Sequence, residues 1–397
     1  GGGAPSLSAG YPAEGCPAEN GSASLDGPAR GEAPCRFPSR CLPAGGRTRG
    51  RALAAFPPRD AYRIWIVVLE ALLAALVCMF LRRTEACRLR WFIAGVLLLS
   101  SPYFLEVHMG QFTFAATALL AMGVLRRDHP RDRRATPRDE VFATATYALA
   151  ALLKVFPLVT APALLRERRL RRTLLVTGGV VLAASLPYFA AHPEGWDAFR
   201  RANLSSLAGG MDSGNHGLVY VIRQVAQDAG WAWLVERWNG FMSVWHASVV
   251  IGTTIVVWLS RRGGLGVAAA AMLLAHLVGY GHVWEHHLSG GVVAGVLALH
   301  AVAHPAAGRP DHRIAGWLIA ALVLLALPTP FALFDTALNV TVWDPSAGWP
   351  AWQRYALPLA KVVPTLLLYV VCLAWLMRPG PRRDAPSRRT ADMPVPG

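Results

Sequence analysis

Lysine is nearly absent: of 39 basic residues only Lys154 and Lys361 are lysines, and all others are arginine. Charge as a whole is scarce, 16% of 397 residues where a soluble domain carries about a quarter. With 54% hydrophobic residues and a mean hydropathy of +0.35, that scarcity argues against a water-surrounded fold and for lipid. The six cysteines, Cys16, Cys35, Cys41, Cys78, Cys87 and Cys372, form no CxxC pair, which argues against a zinc ribbon or a disulfide framework. No GxGxxG unit occurs, so a nucleotide-binding Rossmann domain is not expected. No charged-then-apolar signal follows Gly1. The expectation is a fragment, or a start assigned in the wrong place.

What is present is arginine in short clusters between apolar runs. The net charge of +15 would suit nucleic acid if it lined a groove, but this distribution is that of cytoplasmic loops in a membrane protein, and no nucleic-acid partner is expected. Abundant Ala and Arg point to a high-GC bacterial gene, hence to a bacterial plasma membrane. Residues 1–59, rich in Gly, Pro, Ala and Arg without apolar periodicity, read as disordered, 60–377 as a multi-pass transmembrane domain, and 378–397 as a disordered basic cytoplasmic tail. Apolar runs at 62–81, 91–105, 112–125, 141–165, 173–190, 241–259, 264–280, 288–303, 314–327 and 355–377 predict an all-α polytopic transmembrane bundle with about nine spanning helices, some short or broken. Clusters at Arg82–Arg83 with Arg88 and Arg90, then at 126–138, 166–172, 261–262, 309–313 and from Arg378, mark one side as cytoplasmic. The opposite side then collects 106–111, 191–239, 281–287 and 334–354, and the N-terminal region as well, which leads to the expectation of a missing helix ahead of it.

The run 141–165 carries arginine at both ends, so both ends belong on the cytoplasmic side. In its middle stands Lys154-Val155-Phe156-Pro157, and Pro157 removes a donor and kinks a helix. The pattern predicts a re-entrant hairpin with Lys154 at its tip. Broken helices at membrane depth occur where they line an enclosed cavity, and an ionisable residue there marks a site. Glu70 also lies within an apolar run, whereas Lys361, near the outer end of the last helix, is expected to snorkel.

The densest polar cluster is Gly281-His282-Val283-Trp284-Glu285-His286-His287. Its three His and one Glu could bind metal, hold a phosphate or act as acid and base, and His282–His286 has the i,i+4 spacing of helical zinc ligands. No partner motif for a metal stands elsewhere, and a solvated interfacial loop accounts for the same composition. Glu106-Val107-His108-Met109-Gly110-Gln111 joins two helices by a tight turn, with Gln111 set to cap or line a pocket at the next helix start. In the outer loop Asn203 and Ser205 suit sugar hydroxyls, and 219–238, with Trp231, Trp233 and Trp238, reads as an interfacial helix.

Four of these pieces, in this order, resemble the bacterial polyprenyl-phosphate-mannose-dependent glycosyltransferases of family 87, C-type membrane enzymes: Gly110-Gln111, Lys154-Val155-Phe156-Pro157, Asn203-Leu204-Ser205 and Trp284-Glu285-His286-His287. Trp-acid-His-His is the most specific of them, and the similarity runs from about Phe56 to the last helix. The resemblance implies transfer of a sugar, usually mannose, from a polyprenyl-phosphate donor to a lipid or glycan acceptor outside the cytoplasm, with no cofactor and no metal. Glu106, His108, Gln111, Lys154, Asn203, Ser205, His286 and His287 would bind substrate. Asp60 and Glu285 are the candidate catalytic carboxylates. The family carries its catalytic Asp in a first outer loop after a first spanning helix; the region before Phe56 matches none of it, and Asp60 stands on the correct side without a motif. A truncated, inactive relative is therefore an alternative. So is a transporter, although no internal repeats occur.

The arginine asymmetry generates a topology prediction. Cysteines placed at Asp212 and His282 react with a membrane-impermeant thiol reagent in intact cells, and one at Arg131 reacts only after lysis. Labelling of the Arg131 position in intact cells would invert the orientation.

Overall fold

The computed structural model describes residues 56–127, 136–167, 170–200, 215–260, 264–303, 311–329 and 350–379. These residues form an all-α bundle with no strand among them. Helix α1 (Pro58–Arg83) opens on a proline at its first position, where a missing N–H costs nothing. Asp60 occupies its first turn and Arg82 and Arg83 its last, each charge opposite to the helix dipole. Helices α2 (Cys87–Leu98) and α3 (Ser101–Met109) run on as one span of 23 residues, jointed at Leu99–Ser100 ahead of Pro102. Gly110 ends α3 in the left-handed region at φ 62, which allows the chain to double back at once into α4 (Thr113–Arg127).

Thr136 caps α5 (Pro137–Leu153) in a reciprocal arrangement with Asp139. That helix stops at Lys154, which is extended, and continues as a 3-10 turn (Phe156–Thr160) and the short α6 (Ala161–Arg166). The carbonyl of Pro157 accepts from Thr160 Oγ1 at 2.7 Å and from Tyr147 Oη at 3.2 Å, so side-chain hydroxyls brace the backbone beside the break. Helices α7 (Arg171–Ala191), α8 (Glu194–Arg200), α9 (Leu218–Asp228), α10 (Ala232–Glu236) and α11 (Trp238–Leu259) follow; α9 and α10, parted at Gly230, make up the segment expected as one interfacial helix. Then come α12 (Leu265–Gly279), a 3-10 turn (Glu285–His287), α13 (Leu288–Ala303), α14 (His312–Ala326) and α15 (Ala351–Met377).

Among the described residues six helices are long and apolar enough to cross a membrane, where the apolar runs led us to expect about nine spans. Helices α4, α12 and α14 have 15 residues each and reach only about 22 Å, short of a bilayer core of about 30 Å. Helices α4 and α12 are buried along nearly their whole length, with α13 beside them at the centre of the bundle. Small residues let them approach closely, as is usual where lipid offers no hydrophobic drive between helices. A Cβ on Gly123 would lie 2.6 Å from Thr146 Oγ1, and one on Gly290 would lie 2.9 Å from Thr117 Oγ1.

Among the described residues, arginines from these clusters gather at one end. Arg83 donates to the Leu125 carbonyl at the end of α4, and Arg166 donates to Ser260 at the end of α11 at 2.6 Å. Arg127 meets Glu140 at 3.3 Å, and Arg378 pairs with Asp311. Both ends of 137–166 therefore sit at the arginine-rich end, as a re-entrant segment requires. At the other end Tyr62 Oη donates to Val107 O at 2.9 Å and Trp65 Nε1 to Gln111 O at 3.2 Å.

Lys361 departs from expectation: it does not snorkel but is 1% exposed within α15. Bound carbonyls and a carboxylate hold its ammonium inside the bundle, so it has no need to reach an interface.

The close α4–α5 approach is testable. Gly123→Leu destabilises the protein in mild detergent by about 1–3 kcal/mol through overpacking. Gly316→Ala, where a Cβ meets open space, leaves thermal unfolding unchanged or raises its midpoint.

Candidate active site

A short turn at the arginine-poor end organises the site. After α12 the chain runs through 281–284 without regular structure and makes one 3-10 turn before α13. The Asn215 side chain straps this stretch: its Nδ2 donates to Gly281 O at 2.8 Å and its Oδ1 accepts from Val283 N at 3.1 Å. The backbone N–H of His216 adds a bond to Val283 O at 2.6 Å. His287 Nδ1 accepts from Trp284 N at 3.1 Å, which closes the turn on itself.

Side chains of the turn go two ways. The His286 and His287 rings, 4.2 Å apart, are on the Lys154 side, in electrostatic range of that lysine. Lys154 Nζ donates to Thr113 Oγ1 at 2.6 Å and lies 5.8 Å from the Phe156 ring. From Phe156 a series of rings returns to the turn: His276 at 5.6 Å, Tyr280 at a further 5.1 Å and His287 at 6.3 Å beyond it. His286 is buried, and its Nδ1 has no hydrogen-bond partner. Such an orphan inside the protein calls for a ligand or an ordered water.

Glu285 turns the other way. Its Oε1 accepts from Ser101 Oγ at 3.0 Å and lies 3.4 Å from Lys361 Nζ, both ions buried. Lys361 also donates to Leu325 O at 3.0 Å and to Leu327 O, the carbonyls at the end of α14. His216 lies in range of both ions and is itself buried, with its Nδ1 unpartnered. Burial pushes its imidazole down to about 4; nearby Glu285 works against the shift and Lys361 with it.

The sequence candidates are distributed as follows. Lys154, His286 and His287 share one region. Glu106 lies beneath it, 0% exposed, accepting from Phe114 N at 2.6 Å and from Ser289 Oγ. Glu106, rather than Gln111, therefore caps α4, because the Gly110 turn folds the end of α3 over that helix start. Gln111 is half-buried and its carbonyl is taken by Trp65, while His108 is exposed. Asp60 is half-exposed at the first turn of α1, 3.5 Å from Arg63 and two residues from Tyr62, which binds the 107–108 carbonyls. Asn203 and Ser205 lie outside the described residues. Glu70, on the outer face of α1, accepts from Tyr103 Oη at 3.0 Å.

Sequence reasoning missed Thr113, Ser101, Ser289, Asn215 and His216, ordinary polar residues whose partners are distant in the chain. Lys361 carried the same signal as Lys154, a lone lysine in an apolar run. Among the described residues no group of three or more His, Cys, Asp or Glu is arranged to hold a metal. His282 precedes the turn and His286 is within it, so their i,i+4 spacing is not laid on a helix face.

The displaced imidazole of His216 gives a pH prediction. Its folded value of about 4 lies below the ordinary 6.5, so the unfolded chain takes up the proton first. The stability it contributes is whole above pH 6.5 and is lost as pH falls from there toward 4. His216→Gln loses less of its unfolding midpoint than the parent protein between about pH 7.5 and about pH 5. Equal losses would deny His216 this role.

The profile described as glycosyltransferase family 87 matches residues 51–283. The matched span takes in the α3–α4 turn and the Lys154 break. It ends one residue before Trp284, short of the coverage to the last helix that the motifs suggested. No curated protein and no solved structure matches the chain. A match over more than half of its residues, on a bundle that has among its described residues six helices long and apolar enough to cross a membrane, places the chain in glycosyltransferase family 87, as a multi-pass membrane glycosyltransferase.

Proposed function

We propose that this glycosyltransferase takes a sugar, mannose being the first candidate, from a polyprenyl phosphate and transfers it to a lipid or glycan acceptor on the outer face of a bacterial plasma membrane. The single observation that carries the reading is the pairing of Lys154 and Thr113, 2.6 Å apart, at the break of a half-buried helix, opposite the His286–His287 rings. An ammonium, a hydroxyl and two imidazoles of which one holds a free nitrogen suit a phosphate whose apolar tail runs out between helices. In so poorly hydrated a place, charge-assisted bonds are stronger than at a surface.

The reaction is a displacement at the anomeric carbon. The acceptor oxygen forms the new C1–O bond, the C1–O bond to phosphate breaks, and polyprenyl phosphate leaves with the electron pair. A carboxylate takes the proton of the acceptor hydroxyl, and Lys154 with the His pair offsets the charge that grows on the leaving phosphate. Glu106 and Glu285 are buried and bonded to protein groups, whereas Asp60 is accessible at the same end, so Asp60 is the base in this reading. Glu106 supports the site indirectly, by capping the helix that carries Thr113.

The test is transfer from polyprenyl-phosphate mannose by protein reconstituted in lipid. Lys154→Met keeps length and removes charge; it loses about 1.5–3 kcal/mol of donor binding while the protein stays folded. His286→Ala acts in the same direction, and the two losses do not add if both groups touch one phosphate. Transfer persists with strong chelators. Donor binding unaffected by either substitution would remove this reading.

A further inference from the structure

We infer that Lys361 is a positioning residue for the His286–His287 pair, acting through Glu285 and never on the ligand itself. The inference rests on the reading of the His pair as a phosphate site. The ammonium has three N–H groups and three acceptors around it: Leu325 O at 3.0 Å, Leu327 O, and Glu285 Oε1 at 3.4 Å. None is left for a substrate. Glu285 is the residue before His286 in a three-residue turn, so the carboxylate and the imidazoles project from one small rigid unit. Ser101 fixes the same carboxylate oxygen from α3, and Lys361 fixes it from α15. With both in place the turn cannot rotate, and the rings stay where Lys154 and Thr113 face them. The lysine also neutralises a carboxylate that would otherwise present a negative charge beside an anion-binding site. Both Lys361 and Glu285 lie beyond the stretch that the family profile covers, so nothing in that match assigns them a role.

Orientation and charge neutralisation separate in a double variant. Glu285→Gln with Lys361→Met is close to isosteric and leaves no unpaired buried ion, so it remains foldable where Lys361→Met alone is compromised. Full-length protein in nanodiscs is titrated with undecaprenyl phosphate. In parallel, exchange of the imidazole C2 hydrogen is followed at His286, with His300 as an internal reference. Lys361→Met weakens binding by about tenfold or more, about 1.4 kcal/mol or more. The double variant stays as weak as that single one, Lys361→Arg recovers most of the affinity, and His286 exchange rises severalfold in Lys361→Met and the double variant only. Wild-type affinity in the double variant would show that Lys361 merely masks a charge, and would overturn positioning. So would a lowered unfolding temperature with affinity and His286 exchange unchanged. If the parent protein binds no undecaprenyl phosphate, the sugar-transfer reading fails, while His286 exchange in the same variants still decides whether Lys361 holds the turn.

Discussion

A carbonyl that loses its helical N–H inside hydrocarbon can turn only to another protein group, since no water is present to replace the bond. The breaks in this bundle follow from that constraint. At the break after Lys154 the Pro157 carbonyl accepts from the Thr160 and Tyr147 hydroxyls. At the end of α14 the carbonyls of Leu325 and Leu327 are taken by Lys361. At the start of α4 the open N–H groups face Glu106. Each repair needs a polar or charged side chain at membrane depth, and these repairs surround the candidate site.

The repairing charges are then themselves compensated. A carboxylate or ammonium alone in the bundle costs several kcal/mol, and breaking a buried pair typically costs about 3–5 kcal/mol. Lys361 meets Glu285, and Glu106 is met by Ser289 and the α4 dipole with Lys154 in range. Lys154 donates to a hydroxyl, Thr113 Oγ1. Lys361 is fully committed to two carbonyls and a carboxylate. The two lysines of the chain thus divide the work, one facing the proposed phosphate and the other holding the turn opposite it.

The 285–287 turn works because its two faces are anchored from different helices. Ser101 and Lys361 restrain the carboxylate side, while the Asn215 strap restrains the segment ahead of it. The imidazoles are left free of backbone duty except His287, whose Nδ1 closes the turn. Close packing around glycine keeps α4 and α13 near enough for Phe114 N–H and the Ser289 hydroxyl to meet the Glu106 carboxylate.

Composition and charge periodicity alone determined that this chain is an all-α membrane bundle, because apolar length and arginine placement answer directly to lipid and to membrane sidedness. The break at Lys154 was legible for the same reason: proline and a lysine in an apolar run violate local rules. So was the polar turn at 282–287, and the family resemblance followed from both. The number of full-length spans was not legible, because an apolar run of 15 residues looks alike whether it meets lipid or, as in α12, is enclosed by other helices. Nor was the fate of Lys361, since snorkelling and burial differ only in what lies beside the ammonium. Its acceptors are Glu285 and the end of α14, 76 and 34–36 residues away in the chain, and only folding brings them to one nitrogen.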